Sequence, residues 1–382
     1  MRKILSGVCI LAFCLAQTGC WDYLELETLS FVMAAGIDVG SDEGLTLTVE
    51  TLEVKGGEPT DMSPYVTTTT GITLFNALRN VTNVSGKQMF FGHSHAVAFS
   101  EELARKGVGE AVGFMQRDVG VRTNMWLCVV RGSAAKDVFT ADAPLGTSIG
   151  DYLNRVMMLQ RRNPTFIPVQ IWEFNRALNE VGLSPVLPAI EIIEIDDRKI
   201  PLVQGSGVFK RDRLIGWLDA QDSRVLSYLR LGKVTGVLAT EMEYQGEKER
   251  IAAEVMTSRV ELKPYWENDE LSVAITVNLQ VGLHELGFAT FDYSRPELKR
   301  MAEEALAREL KEDIERLIRT LQQDLKVDVV GFGALIKKKV PSAWRKVEKN
   351  WEEEFAQLPV SVRVAVLITG TGTLAKPLTG RP

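Results

Sequence analysis

Histidine is almost missing from this chain, at three residues in 382, and cysteine numbers only four. That scarcity excludes the usual tetrahedral metal centres. His93 and His95 stand together in "GHSHAV", His284 lies far off in sequence, and no HExxH or CxxC accompanies them. Two residues apart on a strand, His93 and His95 would share one face, and a hydrogen-bonded structural pair accounts for them without a metal. Complete phosphate loops are lacking as well: "GSGVFK" at 205–210 and "GFGAL" at 331–335 fall short of GxGxxG and of GxxxxGK[ST], so they read as turns and close helix contacts. No serine shows a readable histidine-acid context. Glu191 and Glu194 in "PAIEIIEIDD" fall on opposite faces of a strand, which does not suit an acid-base pair. Basic excess is also absent, with 44 Lys and Arg against 50 Asp and Glu, the wrong balance for a nucleic-acid binder. Neither catalysis, nor a cofactor, nor a bound metal is expected.

Long apolar runs are few. Ile4 to Ala16 is uncharged and follows Arg2 and Lys3, which suits a signal peptide and is too short to span a bilayer, where about 20 apolar residues are needed. Thr18-Gly19 then precede Cys20. Two readings stand: an ordinary cleavage site, or a lipobox in which Cys20 carries a diacylglycerol thioether and becomes the new N-terminus. Gln17 occupies the place where such signals usually have Leu. Cys9 and Cys14 leave with the leader under either reading. Cys128, in "NMWLCVV", then reads as a buried strand residue acting as a small hydrophobe.

What remains is 45% hydrophobic and 25% charged, which suits a chain of two or three globular domains. "LSFVMAAGIDVG" and "LTLTVETLEV" read as a hairpin around "SDEG". Ile72 to Val84 reads as a helix with Ile72, Phe75, Leu78 and either Val81 or Thr82 on one face. "GKQMFFGHSHAVAF" and "VRTNMWLCVVRG" read as strands with helical stretches between and after them. A new region is expected near Lys199, followed by a helix ending at Gly232 and by three strands, 233–244, 250–263 and 270–283, in an antiparallel sheet. From Pro296 to Leu325 apolar residues recur at three- and four-residue steps, predicting a long amphipathic helix. A second runs from Pro341 with Trp344, Val347, Trp351 and Phe355 on one face, and Val360 to Ile368 alternate as a closing strand. The basic residues Lys337 to Lys339, Arg345, Lys346 and Lys349 interleave with those tryptophans. They suit either an anionic membrane surface or, more simply, a solvated helix end over a tryptophan core. The expected fold is α+β, a mixed multi-domain chain with antiparallel and mixed sheets. Its expected divisions are a signal peptide at 1–19, an N-terminal domain at 20–198, a middle domain at 199–260 and a C-terminal domain at 261–382.

Taken in order, several stretches resemble the Ger(x)C lipoproteins, the C subunits of spore nutrient-germinant receptors. "GCWDYLELETLSFVMAAGID" is similar to that family's start, with Cys20 as the acylated cysteine and Gly36-Ile37-Asp38 closing the first strand. "FFGHSHAVAFSEELARKGV" and "MQRDVGVRTN" resemble its histidine strand and its "RD...R" step, carried by His93, Arg117, Asp118 and Arg122. "DVVGFGALIKKKVPSAWRKVEKNWEEEF" is similar to its "D..GFG" segment and paired-Trp helix, with 199–382 together as its C-terminal region. The resemblance implies a non-catalytic subunit of about three domains, tethered by lipid on Cys20 to the outer face of the spore inner membrane. It implies membrane-spanning A and B receptor subunits as partners in triggering germination. The rival expectation is a solute-binding lipoprotein of a transporter, which needs two α/β lobes with parallel sheets around a cleft.

Overall fold

The computed structural model describes residues 28–54, 62–118, 120–144, 148–244, 246–286 and 295–370. Cys20 and the leader lie outside these residues.

Strand β1 (Leu29–Val39) pairs antiparallel with β2 (Leu45–Val54), which pairs antiparallel with β3 (Met62–Gly71). Helix α1 (Leu74–Ser85) follows, then the short β4 (Gln88–Phe90) and β5 (Ala96–Ser100), both parallel to β1. Helices α2 (Glu101–Lys106) and α3 (Gly109–Arg117) lead to β6 (Trp126–Val130), and α4 (Ala135–Thr140), α5 (Ile149–Leu159) and α6 (Ile171–Asn179) to β7 (Val186–Ile195). Parallel pairing continues from β5 through β6 to β7, and β8 (Arg198–Lys210) and β9 (Arg213–Leu218) return antiparallel at the far edge. The resulting mixed sheet runs β3-β2-β1-β5-β6-β7-β8-β9, with β4 beside β1.

Helix α7 (Ala220–Leu231) links this sheet to a second one, in the order β10 (Gly236–Tyr244), β11 (Glu247–Glu267), β12 (Glu270–Leu286), β13 (Val360–Gly370). Its first three strands are antiparallel, as expected, and β13 joins parallel to β12. Between β12 and β13 come α8 (Pro296–Arg319), which ends in a π-turn over Thr320–Leu325, and then α9 (Phe332–Lys339), α10 (Pro341–Val347) and α11 (Trp351–Gln357). The fold is α+β with two sheets, in agreement with the expectation. Residue 199 lies in β8 and residue 260 in β11, so ladder hydrogen bonding runs through both positions where domain divisions were expected.

The central strands of the first sheet are buried on both faces, which is why they read as unbroken apolar runs. Val97, Phe99, Leu127 and Val129 fill one face, in a core that continues through α7 and α8 into the second sheet. Ala34, Ala96, Ala98 and Cys128 line the other, where small side chains let α4 and α5 approach closely. Gly36 belongs to the same contact: a Cβ there would lie 2.7 Å from the Phe139 ring. Cys128 is fully buried, as its sequence setting predicts, and burial pushes its thiol pKa up.

Helix α1 differs from expectation. Thr73 caps it, its Oγ accepting the Asn76 N–H at 3.2 Å, and the buried face is Leu74, Ala77 and Val81. Ile72 precedes the helix and is 86% exposed, and Phe75 is 45% exposed. Two neighbouring stripes are apolar here, and periodicity does not choose between them.

Candidate functional site at the junction of the two halves

The segment Asp328-Val-Val-Gly-Phe-Gly333 turns the chain into α9. Gly331 takes φ +92°, a conformation that L side chains avoid, and so aims the N-terminus of α9 back at Asp328. The Asp328 carboxylate accepts the N–H of Gly331 at 2.7 Å and of Gly333 at 2.8 Å. Burial pushes its pKa up to about 6, outweighing the N–H donors, which favour the ionised form. This is the carboxylate counterpart of a helix-bound anion, and it fills the place a phosphate would need at "GFGAL".

The same turn seats the C-terminal half on the N-terminal half. Gly333 lies directly against Gly182: a Cβ on Gly333 would sit 2.5 Å from the Gly182 Cα and 2.8 Å from Trp351 Nε1. Backbone bonds stitch the seam, Ser184 N–H to Asp328 O at 2.7 Å and Ala334 N–H to Gly182 O at 3.1 Å. Two ion pairs flank it, Lys337 with Glu180 at 3.0 Å and Lys210 with Glu352 at 2.7 Å. Each is substantially exposed and contributes at most about 1 kcal/mol. Beside the seam runs a groove of about 560 Å³, lined by Glu180, Lys210, Arg211, Lys349, Trp351 and Glu353 among others. Its charges are of both signs, with Lys210 paired to Glu352 and Glu180 to Lys337.

Two further carboxylates repeat the device. Asp38 accepts the Ala135 N–H at 2.6 Å and the Lys136 N–H at 3.0 Å, pinning α4 to the end of β1. Glu50 accepts the Ile149 and Gly150 N–H groups at 2.7 and 2.8 Å, pinning α5 to β2. Burial raises the pKa of both, against the backbone bonds. The expectation that no GxSxG hydrolase motif is present is corrected by residues 146–150, which read GTSIG. In the structure Ser148 is 2% exposed and caps α5, its Oγ accepting the Asp151 N–H at 3.1 Å. The Ile149 N–H that an oxyanion hole would use is already held by Glu50.

The paired histidines do not lie on one strand. His93 sits in the turn after β4, with its ring 5.7 Å from Phe31 and 5.9 Å from Phe90. His95 points elsewhere, Nε2 to Asp151 Oδ1 at 3.3 Å. Among the described residues no group of three potential metal ligands occurs. Arg117 ends α3, and Asp118 Oδ1 accepts the Gly120 N–H at 2.8 Å, a local turn. Trp344 and Trp351 are buried, 5.4 Å apart by ring centroids, so the basic segment covers a tryptophan core.

Two family profiles match the chain: "Spore germination protein N-terminal domain" over residues 22–192 and "Spore germination B3/ GerAC like, C-terminal" over 204–372. The chain belongs to the spore germination GerAC family. Relatives in Bacillus subtilis (strain 168) align over nearly their whole length. Spore germination protein KC is 23% identical over 403 residues, covering 99% of this chain and 98% of the relative. Spore germination protein B3 is 26% identical over 388 residues, with 95% and 96% covered. The crystal structure of the GerBC protein shares the fold, with a TM-score of 0.56 at 22% identity over 87% of this chain and 96% of that one. The GerAC-family stretches recognised by resemblance now have physical roles. Asp38 of Gly-Ile-Asp and Asp328 of the "D..GFG" segment are the buried acids that pin α4 and α9.

Proposed function

We propose that this chain is a non-catalytic, lipid-anchored subunit of a spore nutrient-germinant receptor, acting with membrane-spanning A and B subunits to trigger germination. The observation that carries the reading is family membership along the whole chain, in order, with relatives named as spore germination proteins matched end to end. Cys20 is the proposed lipidation site. Two acyl chains hold a protein at a membrane stably where one is marginal, and confinement to the outer face of the spore inner membrane raises the effective concentration around the partner subunits. Among the described residues no helix is long and apolar enough to cross a membrane, which is compatible with a tether. The buried acids are bound to backbone N–H groups, and Ser148 caps a helix, so neither supplies an evident reacting group. The antiparallel β10-β11-β12 ladder gives the solute-binding reading no support. The three-part division at 198/199 and 260/261 stays a proposal for limited proteolysis.

The test is Cys20→Ala in sporulating cells. Loss of the protein from the spore membrane fraction, with slowed nutrient germination, is expected. Full membrane retention and normal germination would refute the anchor.

A further inference from the structure

Four surface segments join into a belt that starts at one end of the first sheet. Ala34, Ala96 and Trp126 are in register and Trp126 bridges to Gln170. The turn before β6 and the start of α6 therefore sit where the parallel strands begin, the end at which β1 starts with Leu29. Trp172 N–H donates to Thr123 O at 3.2 Å, joining those two segments, and the Arg176 guanidinium lies over the Trp172 ring at 5.7 Å. Arg176 and Leu231 border one small cavity, and Lys233 N–H donates to Leu231 O at 2.7 Å. Thr235 Oγ donates to Arg161 O at 2.5 Å, which carries the belt on to the end of α5.

The belt is basic in a chain of net charge −6. Arg117, Arg122, Arg161, Arg162, Arg176 and Lys233 are all exposed, and none of them enters an ion pair among the described residues. Within the four segments, 117–124, 158–163, 172–176 and 231–235, the acids are Asp118 and Glu173, and each of these carboxylates accepts a backbone N–H. Large apolar side chains stand exposed among the cations: Met158 at 68%, Leu159 at 59%, and Trp172 and Leu231 at 44% each. A free anion or a nucleic acid would use the cations and leave these apolar tips in water. A bilayer interface uses both, since arginine and lysine meet the phosphates, the indole lies at headgroup level and the apolar tips reach the acyl boundary. We infer that this belt rests on an anionic phospholipid surface. Leu29 stands nine residues after Cys20, at most about 30 Å of extended chain, so a lipid on Cys20 keeps this end of the sheet toward the bilayer. That orientation rests on the lipid-anchor proposal; the charge and the apolar tips do not.

The test uses the mature chain, residues 20–382, with Cys20→Ser, so that no acyl chain contributes. It is sedimented at low salt with vesicles of equimolar phosphatidylglycerol and phosphatidylcholine, and with phosphatidylcholine alone as control. Expected are binding to the anionic vesicles, its loss on phosphatidylcholine and in high salt, and a drop of about twentyfold when Arg161→Gln and Arg162→Gln are combined. Trp172→Ala, and Met158→Ser with Leu159→Ser, should each weaken binding by less. Lys248→Gln with Arg250→Gln, at the hairpin end of β10 and β11 remote from Gly236, should leave it unchanged. All these side chains are exposed, and equal melting temperatures check that the fold is kept. No binding by the Cys20→Ser chain, equal binding to both kinds of vesicle, or an equal loss in the Lys248→Gln, Arg250→Gln chain would each overturn the assignment. Retention of Cys20→Ala in the spore membrane would refute the anchor and leave the vesicle result standing.

Discussion

Replacing Gly333 with alanine tests whether the Gly182–Gly333 contact holds the two halves together. Local propensity favours the change by up to about 1 kcal/mol, because alanine is the better helix former. The seam opposes it: the new Cβ would lie 2.5 Å from the Gly182 Cα and 2.8 Å from Trp351 Nε1, and the nearer atom is backbone that cannot rotate away. Overpacking of that kind costs about 1–3 kcal/mol. Opening the seam to relieve it weakens the Ala334–Gly182 and Ser184–Asp328 backbone bonds, about 1 kcal/mol each. The net expectation is a loss of about 2–4 kcal/mol, which for a chain of this size lowers the melting temperature by about 3–5 °C. Differential scanning calorimetry measures the fall, and Trp351 fluorescence reports whether the seam itself has opened. Gly182→Ala should do at least as much damage, since φ +84° adds backbone strain to the same overlap. An unchanged or higher melting temperature in Gly333→Ala would mean that propensity outweighs the contact and that the seam is loose.

Glu50→Ala strands the buried Ile149 and Gly150 N–H groups and should cost about 2–4 kcal/mol in urea unfolding, with Glu50→Gln losing about half as much; equal stability of all three chains would remove the latch. Cys128, fully buried with a raised thiol pKa, should react with a thiol reagent only as fast as the chain unfolds once Cys9, Cys14 and Cys20 are replaced by serine; rapid labelling of native protein would contradict that burial. For Asp328 the folded pKa, about 6, stands above the reference value of 3.8, so the native state holds the extra proton between those values and stability falls as pH rises through that window. A displacement of about two pH units corresponds to about 3 kcal/mol, so wild-type stability relative to Asp328→Asn should decline by up to that amount from pH 4 to pH 6.5; a flat difference would show the acid to be unperturbed.

Much of the fold was legible because its elements announce themselves locally. Helix α7 stops at Gly232, which takes φ +69° as a terminating glycine should, and the antiparallel strands β10 to β12 alternate in the sequence as they do in the sheet. Helix α1 was legible in extent and not in orientation, since the stripe through Phe75 is as apolar as the one through Leu74 and only the packing of β2 and β3 decides between them. The histidines misled for a related reason: the turn between β4 and β5 breaks the apparent strand, so a two-residue spacing no longer means one face. The acids are the deeper case. Asp38, Glu50 and Asp328 look like surface residues in sequence, because charge predicts exposure unless an oppositely charged partner is visible, and here none of the groups that hold them is a charged side chain. Their partners are backbone N–H groups at helix N-termini, identical at every residue, so the pairing is created only when the chain folds. The one trace in sequence is at Asp328, where an acid three and five residues before two glycines marks a helix start that must be approached closely. Resemblance picked out that stretch, and the geometry supplies the reason: the acid holds α9, and α9 holds one half of the chain against the other.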